Sequence, residues 1–479
     1  MKRTISLLLV ATLLLTGCGN SHLEIFPPLS DDSLMTSKIP VEQLHQDVDA
    51  FYQGVLDRHP DLANYASLAD LEAEVANIKS LINRPLTRLE FYRQVGQLSH
   101  AFNDGHTFLI WPYQEQALLD AQGQILFPLA VEINDDGLFI KNSYAFNGDV
   151  ISAGSKITQL NDIDTTELVD LAQRYVGGES LALREQVVAR RFPIILWSVF
   201  GYTNEFELSL EHQNESQQIT LARDDDWALV TQDQNADTDY YFEVLDGNVG
   251  YLYLADFDVD PSWFEEFVDE TFSDIAARSI DSLIIDIRDN PGGNTDTVAY
   301  LTSYLADKPF RLVARVKEKL NEDNSGLLSY RGKVGEILDE PWEDWVEPTQ
   351  SENHFGGDTY LLISQVSYSS AIVLATTLQD NEFATLIGQT TGGYANQTAQ
   401  GNLFNLPASE LRAYVPTRIL LRPSGDSTVQ GVIPEVITRH DAQSLQSGED
   451  TEVAAALAII EEKGARDASL NVSMDSRED

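Results

Sequence analysis

The run Leu283-Ile284-Ile285-Asp286-Ile287 passes without a break into Arg288-Asp289-Asn290-Pro291-Gly292-Gly293. A nearly continuous aliphatic run reads as a strand buried on both faces, as in a parallel sheet covered by helices. Proline and paired glycines then stop it abruptly. Further strand-like segments stand at Val249–Leu254, Tyr360–Ile363 and Thr385–Gly388, with helix-like stretches at Trp263–Ala277 and Ser370–Leu378 between them. Alternation of this kind implies βαβ units with right-handed crossovers. Residues 240–445 are therefore expected to form an α/β core, a parallel-rich sheet with flanking helices.

The rest of the chain has a different texture. Between Val41 and Phe108, Val48, Phe51, Tyr52 and Val55 recur at helical spacing, and a second periodic run covers Leu86 to Phe102. An N-terminal helical domain is expected over 39–115, ending at Asn103-Asp104-Gly105-His106-Thr107. From 124 to 223, short strands at Leu129–Ile133, Leu138–Ile140, Phe206–Leu210 and Gln218–Leu221 predict a β-rich domain, with a helix from Thr165 to about Tyr175. Its block Gly154-Ser155-Lys156-Ile157-Thr158-Gln159-Leu160-Asn161 resembles PDZ domains, which bind an extended peptide by adding it to a sheet edge. A generic β-rich insert without a groove stays open beside that reading. Acidic and polar residues from Asp224 to Asp239 read as a linker, and 446–479 as a C-terminal helix with a loose tail beyond Lys463.

The N-terminus reads as an address. Lys2 and Arg3 precede the short apolar run Ile5 to Leu15, the layout of a signal peptide. It ends Leu15-Thr16-Gly17-Cys18, which resembles the bacterial lipoprotein box. The resemblance implies cleavage before Cys18, lipidation of that cysteine and stable membrane anchoring. Residues 1–17 are then the signal peptide and 18–38 a tether. Gly19, where Asp would retain a lipoprotein in the inner membrane, favours the outer membrane of a Gram-negative bacterium. Cys18 is the chain's single cysteine, which excludes an internal disulfide and a cysteine-based zinc site. With 31 basic and 76 acidic residues the formal net charge is −45. That argues against nucleic-acid binding, which needs basic patches. No internal stretch is long and apolar enough to span a bilayer.

Two strand ends carry unusual chemistry. Gly292 and Gly293 let backbone N–H groups approach a ligand and suit an oxyanion. Ser367-Tyr368-Ser369-Ser370-Ala371 lies between a strand and an apolar helix. A serine there is by default an N-cap, but crevices beyond strand C-termini are where α/β sheets bind ligands. A serine nucleophile needs a base. Among eight histidines, His22 falls in the tether, and His45 and His59 sit in ordinary helical contexts. His106 stands apart, in a turn closing the helical segment.

Together these motifs resemble the tail-specific, or C-terminal processing, family of serine peptidases. The resemblance rests on Asp-Gly-His-Thr at 104–107, Asp-x-Arg-x-Asn-Pro-Gly-Gly at 286–293, Tyr-Ser-Ser-Ala at 368–371 and Ile-Gly-Gln-Thr-Thr-Gly-Gly at 387–393. Gly431-Val432-Ile433-Pro434-Glu435 is close to the family's Gly-Val-x-Pro-Asp. It implies that Ser369 is the nucleophile, that Ser370 with Gly292 or Gly293 forms the oxyanion hole, and that 124–223 holds the place of the PDZ domain. Many members use a Ser/Lys dyad, but the matching segment reads Gly392-Gly393-Tyr394-Ala395, and no lysine lies between Lys333 and Lys463. The Glu three residues after the nucleophile is here Ile372. A branch resembling the tricorn core uses Ser, His and Glu, which implies His106 as base. The candidate acids are Asp426 and Glu435, and a weak triad or a third member that is polar and uncharged stays open beside them.

The expected function is Ser-His hydrolysis of extended or unfolded exported proteins. The alternative is an inactive family member that binds peptides as an envelope lipoprotein. Asp256-x-Asp258-x-Asp260 departs from a calcium loop at Pro261 and Phe267 and reads as a solvated acidic turn. No motif for a metal or cofactor is found.

Overall fold

The computed structural model describes residues 26–223, 225, 227–230, 239–326, 331–438 and 450–475. The expected signal peptide, Cys18 and most of the expected linker lie outside the described residues.

The N-terminal region is helical: α1 (Val41–Arg58), α2 (Leu68–Leu81), α3 (Arg88–Val95) and α4 (Leu98–Ala101). Leu44, Val48, Phe51 and Val55 form the buried stripe of α1, and Phe51 meets Phe102 edge-on at 5.5 Å. A capping box between Thr87 and Glu90 starts α3. The single helix expected to Phe102 is broken at Gly96, against which Tyr175 packs. The strand β1 (Phe108–Leu109) follows His106 directly.

The β-rich domain contains β2 (Val131–Asn134), β3 (Gly137–Ile140), β4 (Lys156–Leu160), α5 (Thr165–Ala172), α6 (Leu181–Arg190), β5 (Glu205–His212) and β6 (Glu215–Ala222). Its strands pair antiparallel in the order β2-β3-β4-β5-β6. Helix α6 leaves this domain and inserts Leu183 into the core of the next.

The core runs β7 (Tyr240–Leu245), β8 (Val249–Leu254), α7 (Pro261–Arg278), β9 (Ser282–Asp286), α8 (Thr295–Leu305), β10 (Arg315–Lys319), β11 (Ile337–Pro341), β12 (Asp358–Ile363), α9 (Ser370–Asp380), β13 (Thr385–Gly388), β14 (Gln397–Asn405), β15 (Arg412–Leu421) and β16 (Val436–Ile437). The central sheet has the order β7-β8-β9-β12-β13-β16. Its β7–β8 pair is antiparallel and the other four pairs are parallel, as the aliphatic runs required. One face, with Leu252, Leu283, Ile285 and Leu361, packs on α7, α8 and α9. The other, with Tyr251, Ile284, Tyr360 and Leu362, is covered by α10 (Thr451–Asp475). That helix corrects the expectation of a loose tail beyond Lys463. It is held by the apolar sheet face, since each buried large aliphatic is worth about 1.5–3 kcal/mol.

Asp286 and Arg288, part of the sequence motif, secure this layer. Arg288 bonds Asp286 at 2.6 Å, Asp450 at 2.7 Å and Glu452 at 3.1 Å, and Tyr251 donates to Asp286 at 2.6 Å. The acidic turn likewise has structural uses: Asp260 caps α7 through Trp263 N, and Asp256 accepts from Tyr240.

A second sheet was not anticipated. β1, β15, β10 and β11 pair antiparallel in that order, with β14 also on β15. Antiparallel pairing thus prevails outside the central sheet. This sheet carries the end of the helical region onto the core, with Phe108 opposite Tyr414.

Candidate active site

Two strand ends build the site. After β9 the chain turns through Asn290, whose side chain is buried and bonds Leu254 O (3.1 Å) and Gly292 N (2.8 Å). After β12, Ser367 Oγ donates to Ile287 O (2.8 Å) and Tyr368 N to Asn290 O (3.1 Å). Ser370 Oγ reaches Gly293 O at 2.7 Å. The two loops are stitched so closely that a Cβ on Gly292 (φ +101°) would lie 2.5 Å from Ser369 Cβ and 2.7 Å from Ser370 N.

Ser369 begins α9 with φ 54° and ψ −120° and makes no capping hydrogen bond. The N-cap reading fails for this serine. A non-glycine residue in that region is strained, by roughly 1–3 kcal/mol, and such strain clusters at functional positions. Its hydroxyl lies 3.2 Å from His106 Nε2, within the reach a nucleophile and base require. The imidazole stands in the turn two residues before β1, which the second sheet holds, and is almost wholly buried.

The other imidazole nitrogen has two hydroxyl partners. Nδ1 is 3.0 Å from Thr398 Oγ1 and 3.1 Å from the Tyr368 hydroxyl. Thr398 in turn donates to Asp104 Oδ1 at 2.6 Å, and Tyr368 donates to Glu179 Oε1 at 3.0 Å. Thr398 has one proton, spent on Asp104, so its oxygen accepts from Nδ1–H. That arrangement leaves Nε2 bare toward Ser369. Asp104 also accepts from His106 N (3.2 Å) and Thr107 Oγ1 (2.5 Å), and His59 Nε2 stands 3.3 Å away, off good hydrogen-bond alignment.

The electrostatics follow. Burial raises the Asp104 carboxyl, but His59, His106 and Thr107 outweigh it and hold it below the usual value. Burial lowers His106 more than Asp104's charge raises it, so the ring favours the neutral form a base needs. Glu179 is raised by burial and by Asp104. Tyr368 is pushed up by burial first and stays protonated.

The expected residues come together in part. Ser369 meets His106 at 3.2 Å, and the adjoining Ser370 bonds Gly293 O. Gly292 is adjacent, but its amide donates to Asn290 Oδ1, so it is not a free oxyanion donor. Asp426 and Glu435 are corrected as acids. Asp426 is exposed and accepts from Thr428 (2.7 Å), and Glu435 holds Leu386 N (2.8 Å) and Gln379 (2.9 Å). The carboxylate coupled to the base is Asp104, two residues before it in the same motif. Thr398, Tyr368 and Glu179 were also missed. Gly105 shows why the motif carries glycine: a Cβ would sit 2.5 Å from the Tyr368 hydroxyl. Among the described residues no cluster of three or more His, Cys, Asp or Glu is placed to hold a metal ion.

A hydroxyl at a strained strand-to-helix turn, an imidazole against it and a carboxylate behind define the class of serine nucleophile sites on α/β sheets. Residues 248–438 match peptidase family S41. A carboxy-terminal-processing protease of Bartonella bacilliformis is 26% identical over 221 residues, covering 43% of this chain and 42% of that one. The chain thus matches less than half the length of this curated relative. Mature CPAF has the same fold, with a TM-score of 0.63 and 14% identity over 85% of this chain and 94% of its own. CPAF complexed with lactacystin gives 0.61 and 14% over 85% and 95%. The stretch that matches peptidase family S41 holds the parallel strands of the central sheet, both loops of the site and Ser369.

Proposed function

We propose that the chain is a serine peptidase that hydrolyses extended or unfolded exported proteins through an acyl-enzyme. The observation that carries this is the 3.2 Å approach of His106 Nε2 to Ser369 Oγ, and the match of residues 248–438 to peptidase family S41 supports it. Nε2 takes the hydroxyl proton as Ser369 attacks the peptide carbonyl, and returns it to the leaving amine. The Ser370 amide, at the start of α9, has no helical acceptor of its own, and with the Gly293 amide it faces the developing oxyanion. Asp104, acting through Thr398, stabilises the imidazolium. Water then repeats the sequence on the acyl-enzyme.

A fluorophosphonate probe and an unfolded protein substrate test this together. Labelling at Ser369 and cleavage, both lost in Ser369→Ala with unchanged thermal unfolding, are expected. A wild-type chain that neither labels nor cleaves is the inactive, ligand-binding alternative. The PDZ-like reading of 124–223 belongs to the same proposal, and its helix and antiparallel sheet support it.

We also propose that Cys18 is lipidated and anchors the protein, on the outer membrane by its Gly19. The lipobox-like run supports this. Cys18→Ala should release the protein from the membrane fraction, and unchanged fractionation would overturn the proposal.

A further inference from the structure

The β-rich domain reaches into the site. Glu179 lies on the loop between α5 and α6, directly before Ser180, whose hydroxyl caps α6 and donates to Gly392 O at 2.8 Å. The Glu179 carboxylate accepts from Gly105 N at 3.3 Å on one oxygen and from Tyr368 at 3.0 Å on the other. Tyr368 is also 3.1 Å from His106 Nδ1. Nδ1 thus stands at the head of two hydroxyl–carboxylate chains, and the proposed mechanism needs only one of them.

Resting on that mechanism, we propose that Glu179 is a positioning residue for His106, acting through the Tyr368 hydroxyl to decide which imidazole nitrogen holds the proton.

The argument is proton counting. When Glu179 is ionised it can only accept. Tyr368 then donates to it, and the phenol oxygen accepts from Nδ1–H. Both chains favour the tautomer with Nε2 bare, the form that can take a proton from Ser369. When Glu179 is neutral its own proton can turn to the phenol oxygen. Its other oxygen still accepts from Gly105 N. The Tyr368 proton is then released toward Nδ1, which must be bare to accept it, and Nε2 carries the proton toward Ser369. That tautomer is no base. The Thr398–Asp104 chain opposes it, since Thr398 always presents an acceptor to Nδ1. The two chains agree when Glu179 is ionised and compete when it is neutral.

The surroundings make this a real choice. Asp104 acts on Glu179 through its charge, Glu179 acts in turn on Tyr65 and Tyr394, and Arg184 on α6 is a cation within its field. His106 and His59 both act on Asp104, and His106 reaches Glu179 through the Tyr368 hydroxyl. Burial and the Asp104 charge disfavour ionisation, so Glu179 titrates above the ordinary carboxylate range. Activity then gains a second pH dependence, rising as Glu179 loses its proton.

Imidazole ¹⁵N shifts test this on the full chain labelled at histidine, with His106 assigned by loss in His106→Gln. Expected for wild type is a rise in the Nδ1-protonated tautomer with increasing pH, absent in both Glu179→Gln and Tyr368→Phe. A tautomer constant with pH in wild type, or a change that persists in either variant, would overturn the proposal. In kinetics, Glu179→Gln should lower kcat roughly tenfold with KM unchanged, because the wrong tautomer disables the base. In a Tyr368→Phe background the same change should do nothing further, and an equal loss there would mark Glu179 as merely structural. The ring signal needs no turnover. A chain that fails to label with fluorophosphonate would therefore sink the peptidase reading and leave this one to be decided by the imidazole.

Discussion

Thr398 Oγ1 donates to Asp104 Oδ1 at 2.6 Å although the two residues stand 294 positions apart. This bond joins the end of the helical region to the first turns of β14 and fixes what His106 Nδ1 can do. Thr398→Val keeps the shape and deletes the hydroxyl. It should lower kcat by roughly tenfold to a hundredfold, since the base loses its tautomer control and the imidazolium its distant carboxylate. Thr398→Ser should restore most of the rate. Steady-state kinetics on an unfolded substrate would decide it, and a silent Thr398→Val would mean that the Asp104 chain does not act.

The acid limb of kcat/KM should reflect His106. Burial favours its neutral form, so its proton is lost at a pH below the ordinary histidine value of 6.5. The base therefore stays competent to lower pH than a free imidazole would. The Asp104 charge pulls in the opposite direction and raises the ring's affinity for a proton. Asp104→Asn should shift the limb further to acid while lowering the plateau, because the new NH₂ cannot accept from Thr107 or Thr398. A limb that moved to higher pH would contradict the assignment.

Strain at Ser369 predicts a trade between stability and activity. At φ 54° and ψ −120° glycine is unstrained, whereas serine and alanine are not. Ser369→Gly should be more stable than Ser369→Ala by about 1 kcal/mol, after the larger backbone entropy of glycine is subtracted. Both should be inactive. Chemical denaturation of the pair measures this, and equal midpoints would show that the turn is relaxed.

Gly292→Ala should act locally and severely. The added Cβ meets Ser369 Cβ and the backbone of Tyr368 and Ser370, so the nucleophile loop must move. Losing the alignment of one oxyanion donor costs on the order of a hundredfold or more in turnover. Fluorophosphonate labelling rates should fall with kcat. If labelling stayed normal, the two loops would be free to separate.

Arg288 should matter for stability. It is the cation between Asp286, Asp450 and Glu452, and removing it leaves carboxylates uncompensated beneath α10. Arg288→Met should cost about 3–5 kcal/mol, the range for breaking a buried ion pair. Hydrogen exchange should show α10 losing protection before the parallel strands do. A loss confined to the loop after β9 would mean that α10 is held by its apolar face alone.

Local chemistry decides much of this protein. The short apolar runs at Val249–Leu254 and Leu283–Ile287 read as buried strands from their length and their bounding turn residues. The proline and glycines after Leu283–Ile287 and the serines after Tyr360–Ile363 mark the two strand ends that build the site. Ser369 and His106 were singled out by the family motifs that hold them, since a lone serine at a helix start or a histidine in a turn carries no such signal.

The partners behind the imidazole were not. Asp104 stood in the same motif, but a carboxylate's role depends on which hydroxyl lies between it and the ring. That hydroxyl, Thr398, comes from β14, whose mixed sequence Gln397-Thr398-Ala399-Gln400 has no strong period of its own. Only its pairing with β15, and the pairing of β15 with β1, brings Thr398 to His106. Periodicity reports the face a segment buries. Contacts between segments hundreds of positions apart depend on sheet order, and here the pairing of β1 and β14 on β15 placed Asp104 and Thr398 behind the ring.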